Sequence, residues 1–295
     1  MSASYIKKLF VAQAVMCGLL FFLIILGAGV RKADAGLSCP DWPLCLGQLI
    51  PPFNTQVFLE WFHRKIAMWV GVYALVMAYF ILRRPDFRPR YSSWVLMSFG
   101  LFLIQAFLGK ETVAQLLKAE IVTAHLLGGY LVHFINLGIF IKLKKAGNSS
   151  LVLENLGLKL GFTVLLILSF AQSFLGGLVS SHYAGMACMG FPTCNGAWWP
   201  EFHDQVALHF VHRLGAYALV MAVASLGIYV FKNKKADSFI KKISLTAMLL
   251  ILIQLGLGIA MIFNHIDPAL SVAHSAGSLG IFTCMALGVF HVSLR

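Results

Sequence analysis

The chain has 295 residues, of which 59% are hydrophobic and 12% are charged. A soluble globular protein carries about 25% charged residues, so this composition excludes a water-soluble domain and predicts a polytopic membrane protein. The formal net charge of +12 is explained by the Lys and Arg residues that membrane proteins concentrate on their cytoplasmic side. We therefore expect no nucleic acid partner.

Apolar runs predict eight membrane-spanning helices, because one span needs about 20 apolar residues. In chain order the predicted spans are residues 9–30, 62–82, 93–110, 121–141, 160–180, 206–231, 243–263 and 270–291. The fold class is therefore all-α. The first run is followed by Ala33-Asp34-Ala35, which imitates a signal-peptide cleavage site, but Arg31 and Lys32 intrude before it. We expect this span to be retained.

The basic residues predict the orientation of the spans. Sixteen of the 23 basic residues fall in the connections on one side of the spans, namely Lys7, Lys8, Arg83, Arg84, Arg88, Arg90, Lys142, Lys144, Lys145, Lys159, Lys232, Lys234, Lys235, Lys241, Lys242 and Arg295. Lys and Arg are enriched in cytoplasmic loops, so both termini are predicted to be cytoplasmic in a multi-pass protein of the cell membrane. The loop 181–205 contains no Lys or Arg and is predicted to lie outside.

The chain repeats itself at an offset of 149 residues without a gap. The pairs that agree include Gly27 and Gly176, Gly36 and Gly185, Cys39 and Cys188, Pro43 and Pro192, Cys45 and Cys194, Pro51 and Pro200, His63 and His212, Arg64 and Arg213, Gln105 and Gln254, Gly109 and Gly258, His125 and His274, Gly128 and Gly277. This pattern predicts a tandem duplication of a four-helix bundle, with halves at residues 1–145 and 146–295. Each half has an even number of spans, so both should have the same orientation, related by an axis along the membrane normal.

Four histidines obey the repeat and begin the second, fourth, sixth and eighth spans near their outer ends: His63, His125, His212 and His274. A four-helix bundle binds cofactors through ligands on facing helices, and two opposed imidazoles suit a six-coordinate heme iron. The alternative for a single membrane histidine is an interhelical hydrogen bond. Gly128 and Gly277 lie three residues after the second histidine of each half, where a missing side chain leaves room for a flat macrocycle.

The residues next to these histidines suggest further roles. Arg64 and Arg213 follow the first histidine of each half and are predicted to pair with heme propionates. The halves differ at Glu60, whose counterpart is His209. A carboxylate beside a cofactor can accept protons, which predicts a reaction site in the first half and a permanent cofactor site in the second. The alternative is that Glu60 is an interfacial carboxylate that faces water or pairs with Arg64.

Two cysteine pairs also obey the repeat and lie in the predicted outside loops: Cys39 with Cys45, and Cys188 with Cys194. The outside compartment permits disulfides, which we favour for both pairs, while redox-active thiols remain an alternative. A zinc site would need more closely spaced cysteines or adjacent histidines.

With these motifs in place, the chain resembles the heme A synthase family. The resemblance is carried by Glu60-Trp61-Phe62-His63-Arg64, His125, His212-Arg213, His274 and the loop Cys39-Pro40-Asp41-Trp42-Pro43-Leu44-Cys45, and it covers essentially the whole chain. It implies eight transmembrane helices in two similar halves. It also implies a membrane oxidoreductase that converts the porphyrin methyl group of heme O to the formyl group of heme A for terminal oxidases.

The same resemblance implies roles for individual residues. His212 and His274 would hold the iron of a resident heme b, His63 and His125 would flank the substrate heme O, and Glu60 would be essential to the chemistry. One oxidised cysteine pair in an outer loop is implied as well, most directly Cys39 with Cys45. The expected partners are membrane lipid and an electron acceptor that the residues do not name. Heme O synthase, terminal oxidase assembly factors and a second copy of the chain are candidate partners, and the sequence does not give the oligomeric state.

Other functions share part of these features. A di-heme b-type cytochrome for electron transfer would carry histidines at both depths of shared helices, whereas these four lie at one depth on separate helices. A heme transporter or chaperone is indicated only by Trp198-Trp199, without the Trp-rich Trp-Asp signature of that class. The prenyltransferase that makes heme O would need aspartate-rich motifs on the cytoplasmic side, which this sequence lacks.

Overall fold

The computed structural model describes residues 3–147 and 155–294, which fold into long helices joined by loops. In chain order these are α1 (Ala3–Lys32), α2 (Thr55–Leu82), α3 (Arg88–Ala114), α4 (Ala119–Gly147), α5 (Leu156–Ser181), α6 (Asp204–Lys232), α7 (Ser238–Phe263) and α8 (Pro268–Ser293), with a short 3₁₀ helix at Ala184–Met186. Eight helices in this part of the chain are long and apolar enough to cross a membrane. The prediction of an all-α protein with eight spans is therefore confirmed for the described residues.

Each predicted span lies inside an observed helix, and the helices extend beyond the apolar runs. The extension has a local cause at four helix starts. The side chains of Asn54, Asn155, Asp237 and Asp267 accept hydrogen bonds from backbone N–H groups in the first turns of α2, α5, α7 and α8. Such caps satisfy N–H groups that have no partner within the helix, so a helix can begin several residues before its apolar run. Arg295, one of the basic residues used for the orientation, lies outside the described residues.

One compact unit contains residues 3–117, 124–147 and 294. Its apolar core draws on α1, α2, α3 and α4, and consists of Ile6, Leu9, Met77, Ile81, Phe87, Tyr91, Val95, Ile135, Ile139 and Leu143. Inside a bilayer, van der Waals packing between helices stabilises such a core, because lipid tails are as apolar as the side chains.

The same unit contains a buried polar cluster formed by Gln13 on α1, Ser98 on α3 and Asn136 on α4. The amide nitrogen of Gln13 donates to the backbone oxygen and to Oδ1 of Asn136, both at 3.0 Å. Asn136 in turn donates to Oγ of Ser98 at 2.9 Å. Hydrogen bonds between polar side chains are a usual means of holding membrane helices together, so this cluster joins three helices of the unit.

The other compact unit contains residues 118–123 and 155–293. Its core draws on α5, α6, α7 and α8 and includes Phe162, Ala247 and Met285, the residues 149 positions after the three members of the polar cluster. Phe162 fills the space beside Gly288, where an added Cβ would lie 2.2 Å from its ring. The second unit is therefore apolar where the first is polar. The boundary predicted from the repeat, between residues 145 and 146, lies next to residues 148–154, which are outside the described ranges. A separate role for each half stays a prediction.

Candidate functional site

His63 and His125 come together within the first unit. His63 lies two turns into α2 and His125 lies in the second turn of α4. Their imidazoles are near enough to interact electrostatically. The Nδ1 atoms of both rings are buried and have no hydrogen-bond partner among the described residues. Two imidazoles from different helices therefore stand close together in an interior with few polar neighbours.

His212 and His274 form the corresponding pair within the second unit, on α6 and α8. Their imidazoles also interact electrostatically. Here the surroundings of the first histidine are different, because the amide nitrogen of Gln172 lies 3.0 Å from Nδ1 of His212 and donates to its backbone oxygen at 2.8 Å. The sequence-predicted pairing of histidines within each half thus agrees with their positions in the structure.

Each of the four histidines packs against a glycine on the preceding helix. A Cβ added to the glycine would lie 3.1 to 3.4 Å from Cε1 of the ring. The pairs are His63 with Gly27, His125 with Gly109, His212 with Gly176, and His274 with Gly258. Real Cβ contacts are rarely as short as the 3.1 to 3.3 Å at Gly27, Gly109 and Gly176, so a methyl group there would require the imidazole to move by a few tenths of an ångström, whereas the 3.4 Å at Gly258 is an ordinary contact. Three of the four candidate iron ligands are therefore packed tightly against a glycine.

The space beside Gly128 and Gly277, expected from the sequence to accommodate a macrocycle, is occupied by glutamine side chains. An added Cβ on Gly128 would lie 1.8 Å from Nε2 of Gln105, and one on Gly277 would lie 2.2 Å from Oε1 of Gln254. Gln254 donates to the backbone oxygen of His274 at 2.8 Å. These glycines thus serve glutamine packing in this structure, and room for a macrocycle there stays a prediction.

Arg64 holds the α1–α2 loop against α2. Its guanidinium donates to the backbone oxygens of Cys39, Asp41 and Leu44 at 2.6, 2.6 and 2.9 Å, and to Oε1 of Glu60 at 2.5 Å. The second Glu60 oxygen accepts from the backbone N–H of Cys39 at 3.1 Å. The structure therefore shows that Glu60 pairs with Arg64, the alternative weighed from the sequence. Roles for Glu60 in the chemistry and for Arg64 with a propionate stay predictions.

Arg213 holds the α5–α6 loop in the same way. It donates to the backbone oxygens of Cys188, Gly190 and Thr193, the last two at 2.9 and 3.1 Å. Its fourth partner is Nε2 of His209, at 3.3 Å from its Nε. Across the described residues, no carboxylate forms an ion pair with Arg213. The buried guanidinium thus keeps its positive charge in the second half, whereas a carboxylate balances it in the first.

Both loops are closed by disulfides within each cysteine pair, Cys39–Cys45 and Cys188–Cys194, as the sequence predicted. The loops fix their turns with different side chains. In the first, the backbone N–H groups of Gly47 and Leu46 donate to Asp41 at 2.8 and 2.7 Å. These bonds, with Arg64 nearby, hold the pKa of the Asp41 carboxyl below its usual value. In the second, Asn195 bonds to the backbone of Met189 and Ala187.

A pair of imidazoles suits a heme better than a bare metal ion. Searching the described residues gives no group of three or more His, Cys, Asp or Glu side chains that could hold a metal ion. A porphyrin supplies four ligands to its iron, so the protein needs to add only two axial ones. The glycine-backed imidazoles of each unit fit that requirement.

Sequence reasoning missed the glycine–histidine contacts and the Gln172 hydrogen bonds. The signal for the first was present, because Gly27 and Gly109 obey the repeat together with the histidines that they contact. Gln172 breaks the repeat, since its counterpart is Leu23. Only the one break at Glu60 was interpreted from the sequence.

Residues 11–286 match the family model COX15-CtaA, described as cytochrome oxidase assembly protein. The chain belongs to this family. The heme A synthase of Shewanella oneidensis is 27% identical to it over 91% of this chain and 92% of the relative. The heme A synthase of Bacillus licheniformis is 28% identical, covering 87% and 86%, and that of Caulobacter vibrioides is 26% identical, covering 90% and 90%. The resemblance stated from the motifs is therefore confirmed, while no residue role follows from it.

Proposed function

We propose that the protein is a heme A synthase, a membrane oxidoreductase that oxidises the porphyrin methyl group of heme O to the formyl group of heme A for terminal oxidases. The observation that carries this proposal is the pair of glycine-backed imidazoles in each half, within a chain whose named relatives are heme A synthases. One imidazole pair in each half would hold two hemes per chain, one as substrate and one as cofactor.

The proposed division of labour places substrate heme O between His63 and His125, and a resident heme b between His212 and His274. The charges beside the two pairs support it. Arg213 is 7% exposed and has no carboxylate partner within the described ranges, so a permanently bound propionate would balance its charge. Arg64 is already paired with Glu60. A buried charge is costly unless it is paired, which makes the second half the better permanent site for an anionic cofactor.

Glu60 is the proposed catalytic residue. It is 4% exposed and lies one turn before His63 on α2, on the same helical face. Oxidation of the methyl group through an alcohol to an aldehyde removes electrons, which must pass to an external electron acceptor, and it releases protons when water supplies the oxygen. A carboxylate at this position is placed to accept one of these protons. Bound heme b supplies a redox-active iron whose electronic properties are set by its axial ligands. His63 and His125 orient the substrate, and the Arg64 contacts keep Glu60 in place.

The proposed architecture is a tandem duplication with both termini in the cytoplasm and both heme sites toward the outer side. The uninterrupted offset of 149 residues supports the duplication, since it also relates Arg64 and Arg213 with their loop carbonyls. The distribution of Lys and Arg supports the orientation. Each histidine lies within about two turns of the start of an outside-to-inside helix, which would put all four at one depth.

The proposal is tested by extracting the hemes from the expressed protein and identifying them by mass. Heme A or a hydroxylated intermediate beside heme b would support a heme A synthase. Heme b alone, at two per chain in cells that make heme O, would contradict it and favour a di-heme cytochrome b.

A further inference from the structure

The imidazole of His212 has a side-chain partner that the imidazole of His63 does not have. The amide nitrogen of Gln172 on α5 lies 3.0 Å from Nδ1 of His212 and 2.8 Å from the His212 backbone oxygen. At the equivalent ring, Nδ1 of His63 is buried without a hydrogen-bond partner in the described part of the chain. The two first histidines are thus held differently.

Gly215 makes room for this amide. It lies three residues after His212 on α6, and an added Cβ would lie 2.3 Å from Oε1 of Gln172. Real Cβ atoms do not approach that closely, so even alanine at this position would push the amide away. Gln172 and Gly215 therefore form a matched pair, in which the glycine permits the glutamine to reach His212.

The first half has apolar residues at both equivalent positions, Leu23 and Ile66. They pack together with the buried residues Met16, Leu20, Val70 and Val132. The two substitutions are complementary, because the large Ile66 fills space that Gly215 leaves for the amide. The difference between the halves is therefore a coordinated pair of positions and not a single change.

A hydrogen bond to the ring nitrogen opposite an iron has a known physical effect. Iron is bound by the nitrogen that lacks a proton, so the other nitrogen carries N–H and needs an acceptor. Such a partner fixes the ring orientation and makes the imidazole a stronger ligand, and its loss typically lowers metal affinity 10- to 100-fold. In the structure the Gln172 amide nitrogen faces Nδ1 and also donates to the His212 backbone oxygen. To accept a hydrogen bond from an N–H at Nδ1, the amide must turn its oxygen toward the ring and give up its bond to the backbone oxygen.

We propose that Gln172, admitted by Gly215, is a positioning residue that makes the second half retain its heme, and that its absence beside His63 lets the first half exchange heme. This inference rests on the proposed function, because it takes His212 as an axial ligand. It explains how two similar histidine pairs could serve a resident cofactor and a substrate that must leave as product.

The test compares variants of Gln172 in the purified full-length protein. Gln172→Met keeps the length of the side chain but cannot hydrogen-bond, whereas Gln172→Glu keeps an acceptor for the N–H of His212. We expect Gln172→Met to lose heme b to apomyoglobin at least tenfold faster than wild type and to have a higher midpoint potential. Gln172→Glu should retain heme b and shift the potential downward. A purely structural role would not produce shifts of opposite sign.

Two further variants separate this inference from protein misfolding. Gly215→Ala displaces the amide while leaving Gln172 in the sequence, and should reproduce the faster heme loss. The reciprocal double variant Leu23→Gln with Ile66→Gly should slow the release of heme from the first half. If both Gln172 variants keep the wild-type midpoint potential and the wild-type rate of heme loss, while His212→Ala loses heme b, then His212 remains the proposed ligand and only the role of Gln172 is overturned. Heme b fully retained in His212→Ala would overturn the proposed ligand and the inference with it.

Discussion

His63 on α2 contacts Gly27 on α1 so closely that a Cβ on the glycine would lie 3.1 Å from Cε1 of the ring, and His212 contacts Gly176 at 3.2 Å in the same way. The glycine and the histidine of each pair lie on neighbouring antiparallel helices. Because the contact leaves no space for a methyl group, the distance between the helix backbones sets the position of the imidazole. The packing of α1 with α2 therefore positions His63, and the packing of α5 with α6 positions His212.

Gly176→Ala is expected to reduce the heme b retained on purification by about a factor of ten, the size of effect that follows when an orienting contact at a metal site is lost. The reason is that the new methyl group must displace the His212 ring by a few tenths of an ångström. Heme content per chain, measured from the absorption spectrum, checks the prediction. Gly256→Ala on α7 is the control, because nothing lies within 4 Å of its Cβ position. Equal heme content in the two variants would contradict the account.

Glu60→Ala is expected to abolish heme A formation while leaving the heme b spectrum intact, because Glu60 belongs to the first half and the resident heme is proposed to lie in the second. Heme O or its alcohol should accumulate, as measured by mass spectrometry of extracted hemes. Glu60→Gln separates two roles: the amide can still accept a hydrogen bond from Arg64 but cannot ionise or take up a proton. Loss of activity in Glu60→Gln with heme b retained is the expected result.

The control for Glu60 is the equivalent residue of the second half, His209, whose replacement by alanine should leave heme A formation measurable. If Glu60→Ala makes heme A at the wild-type level, Glu60 is not catalytic. Its role would then be structural, as the partner of Arg64 and of the Cys39 backbone N–H.

The cysteine pairs are expected to be oxidised within each loop in the native membrane. Alkylation without reductant, followed by mass spectrometry, should find Cys39 linked to Cys45 and Cys188 linked to Cys194. In denatured protein the alkylating reagent should label Cys17 and Cys284, which are buried thiols in the structure. Links between the two loops, or free thiols in either loop, would be incompatible with the pairing seen here.

The sequence was sufficient for the helices because their signal is local: each apolar run predicts one span, and every run lies inside an observed helix. The repeat also predicted that the histidines form pairs, because residues at one offset are expected to occupy equivalent positions. The contacts of Arg64 could not be predicted from a local sequence pattern. Its position beside His63 suggested a propionate partner, which stays a prediction. The structure adds that its guanidinium donates to three loop carbonyls that lie 20 to 25 residues earlier in the chain.

The polar cluster of Gln13, Ser98 and Asn136 escaped prediction for a related reason. Each residue is isolated within an apolar run, and only the packing of three helices shows that they bond to one another. Gln172 also escaped prediction, because its counterpart is Leu23 and a mismatch between the halves does not by itself indicate a role. A single sequence holds such information as breaks in its own repeat, but their meaning depends on distances that the sequence does not contain.

The orientation of the chain in the membrane is tested by fusing topology reporters at four positions. Fusions after Leu46 and after Gly196 are expected to report an extracytoplasmic position, because both lie in disulfide-closed loops. Fusions after Arg88 and after Lys235 should report the cytoplasm, because basic residues surround both positions. A cytoplasmic signal from the fusion after Gly196 would refute the placement of the heme sites toward the outer side.

The central claim is that the two histidine pairs do different work, and it is tested most directly by counting each type of heme per chain in His63→Ala and His212→Ala, purified from cells that make heme O. We predict that His63→Ala keeps heme b at the wild-type level but contains no heme A, because only the proposed substrate site has lost a ligand. His212→Ala should lose most of its heme b, since a methyl group cannot replace an imidazole as an axial ligand. Equal loss of heme b from both variants, or heme A at the wild-type level in His63→Ala, would contradict it.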